Sequence, residues 1–544
     1  MSFGSQQVII IGGGIGGLST AIHLASRGYR VQLLERQPRV GGKLNLLSMH
    51  GFTFDTGPSL LTMPDVLRNL FRTAGRRLED YLDLVPLDIT CRYFYRDGVQ
   101  LDAWRDHARL AQEFARLQPR DGAALLRFLD HARSIYQAAA DPFLFHSLGS
   151  PLDVMRTFIR FVLRGHPTDT NGGPTGASAQ TATSMLARLH AVLSALSSAT
   201  LDQSVRGYFQ DEHLRQLFDR YATYNGSSPY QEASVYSIIP YVEMADGGWY
   251  PRGGMYEIAR ALERLARELG VEIETNCNIE RILVQNGRAN GVVLADGRVV
   301  KSDIVVANSD VVTTHRELLA PAVRNEKLVR RLGRLEPSCS GFVLLLGTDK
   351  QYPQLAHHNI FFSDDYPAEF ADLFERRVPV HNPTIYICAT TRTDSSQAPV
   401  GHENLFVLIN APYLTAQSDW QRDAPAYREH IFDLLARYLQ IDLGDLREHI
   451  VCEAMLTPED FRQRYGANAG SIYGLSSNAR MAPFTRPGNR SQHIRGLYFV
   501  GGSTHPGGGV PLVMLSGKIV AGLIAQDTQA RGVVPTIQEE EFHV

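Results

Sequence analysis

An α/β fold built on a parallel sheet is what this sequence predicts, and three observations predict it. Residues 8–36 read as a buried strand (Val8-Ile9-Ile10-Ile11), a glycine turn (Gly12 to Gly17), a small-residue helix (Leu18 to Ser26) and a second strand that ends in an acid, Glu35. Residues 271–308 alternate short β-branched runs with turns at Asn286-Gly287 and Asp296-Gly297. Near the other end of the chain, Leu497-Tyr498-Phe499-Val500, a glycine turn and an apolar helix from Val513 to Gln526 repeat the logic of the opening. The mixed patterns in between predict an inserted α+β domain and a helical region.

The opening unit carries the clearest chemistry. Gly12 permits a tight turn, Gly14 lets a pyrophosphate approach the backbone, and Gly17 lets the helix pack close to the strand. Ile15 and Gly16 open the helix, where unpaired amides and the positive end of the dipole favour phosphates. Glu35 stands at the right spacing to accept hydrogen bonds from a ribose diol. A dinucleotide site follows, with a ligand-free βαβ unit as the bland alternative.

The next residues narrow the choice. Arg36, then Val40-Gly41-Gly42-Lys43, then Phe54-Asp55-Thr56-Gly57-Pro58-Ser59 form a pattern that an ordinary nicotinamide domain does not need. Here the chain resembles the flavoproteins that include amine oxidases, protoporphyrinogen oxidase and carotenoid desaturases. That resemblance implies a Rossmann-type, glutathione-reductase-like FAD-binding domain, with Gly42, Lys43, Gly57, Pro58 and Ser59 along the cofactor. Taken alone, Gly41-Gly42 reads more readily as a surface turn.

Composition sets bounds. A chain of 544 residues, at roughly 150 per domain, allows about three lobes. Its formal net charge of −3 calls for no nucleic acid. The five cysteines are scattered without metal-binding spacing, so no metal site is expected and reduced thiols in a cytosolic protein are. The N-terminus lacks the basic region of a signal peptide, and no apolar run is expected to reach the roughly 18 residues of a spanning helix.

Along the chain, Cys91 to Tyr95 reads as a strand closed by Asp97-Gly98, and Asp106 and Asp121 read as helix caps. Residues 151–164 place Asp153, Arg156, Thr157, Arg160 and Arg164 on one face of an otherwise apolar helix. A lipid interface and a core helix with solvated arginines both fit that pattern. Residues 165–184 are rich in Gly, Thr, Ser, Pro and Ala and suit a lid or an idle insertion. The band from Tyr221 to Glu243 and the stretch Gly247 to Met255 interleave aromatics with glycines, which suits a flat apolar ligand or an ordinary core. Strands are expected at 341–347, 384–388 and 404–410, with helices near 368–376 and 424–439.

A more specific resemblance lies at Gly502-Ser503-Thr504-His505-Pro506-Gly507-Gly508-Gly509-Val510-Pro511, which looks like the C-terminal flavin motif of bacterial-type carotenoid (phytoene) desaturases. Asp55 to Pro58, Arg220 to Tyr230, Gly248 to Met255, His358 to Phe362 and Thr393 to Ser396 add to it. The resemblance implies FAD contacts at Gly501, Gly502, His505, Val510, Pro511 and the backbone of Ile279. It implies desaturation of a C30 or C40 polyene by hydride transfer to the flavin, on a substrate drawn from the bilayer by a peripherally attached cytoplasmic enzyme, with oxygen or a quinone as acceptor. The form of the terminal motif looks closer to members that act late in the pathway. Isomerase, saturase and terminal-oxygenase chemistry stay open on this fold, as does a non-enzymatic prenyl-binding role like that of Rab GDP-dissociation inhibitors. His505 is the candidate proton acceptor, with Glu243 and Asp246 as runners-up and turn or solvent roles as the alternatives. The expected layout is 1–85, 246–312 and 481–544 for the cofactor, 86–245 for a helical substrate or membrane-facing region, and 313–480 for the substrate domain.

Overall fold

The structure is a computed structural model that describes residues 6–139, 144, 199–480 and 482–530. The helix at 151–164 and the insertion at 165–184 therefore lie outside the described residues. A five-stranded parallel sheet forms in the order Leu497–Phe499, Ile304–Ala307, β1 (Gln7–Ile11), β2 (Arg30–Leu34) and Glu272–Glu274. Three distant parts of the sequence thus build one sheet. Its centre is β1, buried on both sides: Val8 and Ile10 join one apolar cluster, Ile9 and Ile11 the other.

Helix α1 (Ile15–Ala25) links β1 to β2 and packs against the C-terminal helix, Val510–Gln529. Small residues make that contact close. A Cβ on Gly517 would lie 2.7 Å from Ser19 Oγ, and Ser19 Oγ donates to the Met514 carbonyl at 2.9 Å. The C-terminal helix is long and apolar enough to cross a bilayer by length and composition, although Lys518 interrupts its apolar run. Its inner face, including Met514, Leu515, Val520 and Ile524, is buried in the core beside α1, which is what its composition serves.

The hairpin turns expected between 279 and 307 are present. Asn286 and Gly287 both adopt positive φ, at 52° and 69°, as a two-residue turn between Ile279–Gln285 and Arg288–Leu294 requires. A second, seven-stranded sheet runs Ile450–Leu456, Ser340–Thr348, Glu403–Ala411, Ile385–Cys388, His358–Phe361, Ile89–Phe94 and Gln100–Trp104. The strand expected at Cys91 to Tyr95 is present as Ile89–Phe94; with Gln100–Trp104 it joins this sheet, pairing parallel with His358–Phe361, so residues 89–104 belong with the sheet and not with the helical region of the expected layout. Asp106 caps its helix through the Arg109 amide as expected. Asp121 does not cap a helix: it lies inside Pro119–Ala139, and its buried carboxylate accepts from the amides of Gln210 and Asp211. An acid near a helix start has the same sequence signature in either role.

Candidate active site

One cavity of about 830 Å³ opens between the two sheets, with the glycine turns on one side and the seven-stranded sheet on the other. At the first turn Gly12 has φ 95°, and a Cβ on Gly17 would sit 2.2 Å from the Gly12 carbonyl oxygen. Only glycine permits that approach. Gly14 caps α1 with no side-chain hydrogen bond, so the first-turn amides at Ile15 and Gly16 are left facing the cavity for a ligand.

The second glycine pair lies directly on the first. Gly41 donates to the Gly13 carbonyl at 2.8 Å, and a Cβ on Gly42 would lie 3.1 Å from Gly14 Cα. The surface-turn alternative is thereby removed. The segment Gly57-Pro58-Ser59 passes over this turn so closely that a Cβ on Gly57 would meet the Lys43 carbonyl oxygen at 1.9 Å. At the far end of the chain, Gly501, Gly502, Val510 and Pro511 line the same cavity, and the C-terminal helix again begins at a glycine, Gly509, without a side-chain cap. Two uncapped helix starts therefore face one space.

Glu35 ends β2 on the cavity wall. Its Oε2 accepts from the Gly13 amide at 2.6 Å and Oε1 from the Gln37 amide at 2.8 Å. A carboxylate keeps lone pairs beyond those two, enough to receive a diol. Ile279 lines the same end, tied to it by the Cys277 amide donating to the Glu35 carbonyl at 2.8 Å. Arg36 and Lys43 are on the wall too, but their charged ends serve other segments. Arg36 Nη2 donates to the carbonyls of Gln463 and Arg464, and Lys43 Nζ to those of Ser471 and Ile472. Burial lowers the Lys43 ammonium to about 8, with Asp310 opposing.

One cradle residue escaped the sequence reading. Asn308 Nδ2 donates to the Gly12 carbonyl at 3.1 Å, and its Oδ1 lies 2.8 Å from where a Gly501 Cβ would be, so this side chain spans the two glycine turns. A polar residue closing the apolar run Ile304–Ala307 at the carboxyl end of a parallel strand was the available signal.

His505 is not on the cavity wall. It is buried in the C-terminal turn, where its amide donates to the Pro487 carbonyl and its own carbonyl accepts from Asn489 Nδ2 and Ser516 Oγ. Its place in the structure is that of a turn anchor. Glu243 is off the wall as well and is not solvated: it accepts from the hydroxyls of Tyr221 and Tyr224 and faces Arg220 Nη2 at 3.8 Å. Asp246 contributes its carbonyl to Trp249 Nε1.

The wall on the seven-stranded sheet is largely apolar, with Val343, Ile360, Phe406 and Leu408 among its residues. A polar line crosses it. Ser59 Oγ lies 2.6 Å from Tyr386 Oη, which lies 2.7 Å from His358 Nδ1. Burial holds His358 well below the usual histidine range, so its ring is neutral. The sequence expected no metal site, yet His357, His358 and Cys388 bring donor atoms within 4.8 Å of one another. Burial pushes the Cys388 thiol far up, and both imidazole Nδ1 atoms bond hydroxyls, of Thr393 and Tyr386, so the set is a neutral hydrogen-bonding group as it stands.

Fold and cradle together define a flavoprotein oxidoreductase: a glycine cradle with paired helix starts, a ribose acid, and a second domain closing over the far end. The comparisons with known proteins agree, and the chain belongs to the flavin containing amine oxidoreductase family, whose profile matches residues 15–525. It is an FAD-dependent oxidoreductase, and a purely non-enzymatic prenyl-binding role is set aside. A 4,4'-diapolycopene oxygenase of Methylomonas sp is 39% identical over 96% of this chain and 99% of its own length. A zeta-carotene-forming phytoene desaturase of Myxococcus xanthus is 35% identical, over 97% of this chain and 95% of its own. Among solved structures, an oxidoreductase from Methanosarcina mazei shares the fold with a TM-score of 0.59 at 18% identity, over 95% of this chain and 99% of that one.

Proposed function

We propose that this enzyme oxidises a linear carotenoid at the end of the chain, a terminal methyl group and dioxygen giving an aldehyde and water. The observation that carries the reading is the continuity of the cavity: the space beside the glycine turns runs without a break along Val343, Ile360, Phe406 and Leu408. An elongated apolar molecule fits such walls, and they exclude water from it. The oxygenase relative, matched over nearly its whole length, supports the choice of end-carbon oxidation. Desaturation within the chain is the second reading, supported by the desaturase relative.

Bound FAD supplies the two-electron chemistry. The chain's own residues do the rest. The apolar wall aligns the polyene, and oxidation next to conjugated double bonds gives a delocalised charge, so alignment matters more than a strong base. The Ser59, Tyr386 and His358 line can hold or pass a proton at the neutral His358 ring. A molecule this apolar resides in lipid, so the enzyme draws it from a bilayer surface by peripheral attachment, for which 151–164 is the proposed contact.

Purified enzyme is incubated in air with a linear carotene in liposomes, and the pigment is analysed by mass spectrometry. A product that has gained oxygen supports the first reading. Loss of hydrogen pairs without oxygen replaces it with the second, and an unchanged pigment with fully loaded flavin overturns both. Liposome flotation with and without residues 151–184 tests the attachment, which deletion should abolish.

A further inference from the structure

Among the polar side chains on the seven-stranded-sheet side of the cavity, three hold a polar atom in reserve. Arg220, Tyr366 and His358 line the cavity while being 6%, 5% and 3% exposed. Arg220 Nε, Tyr366 Oη and His358 Nε2 are buried with no hydrogen-bond partner among the described residues. Buried polar atoms are nearly always satisfied, so three orphans on one wall ask for a ligand.

The three belong to one neighbourhood. Arg220 Nη2 donates to Tyr93 Oη at 2.8 Å, Tyr93 stacks on Phe362 at 5.8 Å between centroids, and Phe362 meets Tyr366 edge-on at 5.7 Å. The guanidinium charge acts on both His358 and Tyr366.

The charge state limits what fits. Arg220 already faces the Glu243 carboxylate at 3.8 Å and lies over the rings of Tyr221 and Tyr224. The positive charge has its counter-ion, and a second anion would be left unbalanced in a dry site. What remains open is hydrogen bonding: an N–H on Arg220, an O–H on Tyr366, and a neutral imidazole nitrogen that donates or accepts according to its tautomer.

We propose that Arg220, Tyr366 and His358 receive a neutral oxygen function, an aldehyde or a hydroxyl, carried on the end of the polyene, so that the enzyme accepts chains already oxygenated. Arg220 Nε and Tyr366 Oη donate to that oxygen, and His358 Nε2 completes the set. The proposal rests on the polyene-oxidation reading above and adds the class of end group. A site built to bond an oxygen penalises the analogue that lacks it, because its own buried donors are then left unpaired.

The test uses FAD-loaded enzyme and three probes in liposomes: a linear carotene, the same chain with one terminal aldehyde, and the same chain with one terminal carboxylate. The expected result is a KM for the aldehyde about tenfold below that for the hydrocarbon, with the carboxylate no better than the hydrocarbon. Tyr366→Phe should cut the aldehyde-to-hydrocarbon ratio of kcat/KM about fivefold or more while retaining flavin. Arg220→Lys, which keeps the charge and removes Nε, should cut it too; if that buried variant misfolds, Tyr366→Phe decides. Equal KM values in the wild type, preference for the carboxylate, or an unchanged ratio in Tyr366→Phe would each overturn the proposal. If the hydrocarbon is oxidised without any preference, only this inference falls. If none of the three polyenes reacts, the function falls with it.

Discussion

The two sides of the cavity are made of different things. The cofactor side is backbone: Gly12, Gly14, Gly17, Gly42, Gly57 and Gly501 shape it by what they lack, and Asn308 and Glu35 pin it. The opposite side is made of side chains, brought together from residues near 60, 220, 343, 358, 386 and 408. A backbone site announces itself through short glycine spacings, whereas a side-chain site exists only once long-range pairing has been made. The first should break sharply when one atom is added, and the second should change by degrees.

Gly57→Val should have the largest effect. Its Cβ would fall 1.9 Å from a backbone carbonyl, and neither strand of the crossing can move away cheaply. We expect a loss of several kcal/mol, with purified protein that is colourless or insoluble. Retention of a full complement of flavin would break the contrast. Next comes Glu35→Gln, which keeps the shape and removes the charge that receives the Gly13 amide and the proposed diol. Flavin binding by the deflavinated protein, followed by fluorescence quenching, should weaken about tenfold.

Glu232 tests burial rather than the cradle. Burial raises its carboxyl to about 8, and Asn225 Nδ2 only partly offsets that. The folded protein therefore holds this proton more tightly than the unfolded chain, and the stability it confers is present below the unfolded value near 4.5 and lost as pH rises towards 8. Glu232→Gln should flatten that decline, so the melting temperature of the variant should gain on the wild type between pH 5 and pH 9, by a free energy of order 1–3 kcal/mol. An equal slope in both would refute the buried, protonated carboxyl.

On the substrate side, Tyr386→Phe interrupts the line from Ser59 to His358. Flavin content should stay intact and kcat should fall about tenfold or less. The smallest effect is expected from His505→Asn. Because His505 is absent from the cavity wall, turnover should stay within about threefold and the pH profile should keep its shape. A displaced limb of that profile would return His505 to the chemistry.

The same contrast explains what the chain could disclose before folding. The βαβ unit, the second glycine pair and the terminal glycine turn were legible because each demands residues no other conformation needs. The two-residue turn at Asn286-Gly287 was legible for the same reason. The strand at Ile89–Phe94 was legible as a strand, but its place beside His358–Phe361 was not, since that depends on a partner more than 250 residues away. His505 was singled out through its motif, and motif proximity to a ligand does not by itself put a residue on the cavity wall. Arg220 to Tyr230 and His358 to Phe362 both added to the family resemblance, but nothing in sequence placed Arg220 on one wall with His358 or Tyr366. Asp121 shows the limit at short range: a carboxylate that receives amides from residues 210 and 211 looks the same in sequence as one that caps its own helix.

The central claim is that glycine turns from both ends of the chain hold one FAD beside a passage for a linear polyene. Its most direct test is reconstitution: flavin is stripped from the protein, FAD is added back, and conversion of a linear carotenoid in liposomes is followed in air. Product that appears only after FAD is restored, at about one flavin per chain, is the predicted result. Conversion without flavin, or a fully reconstituted protein that leaves linear carotenoids untouched, would contradict it.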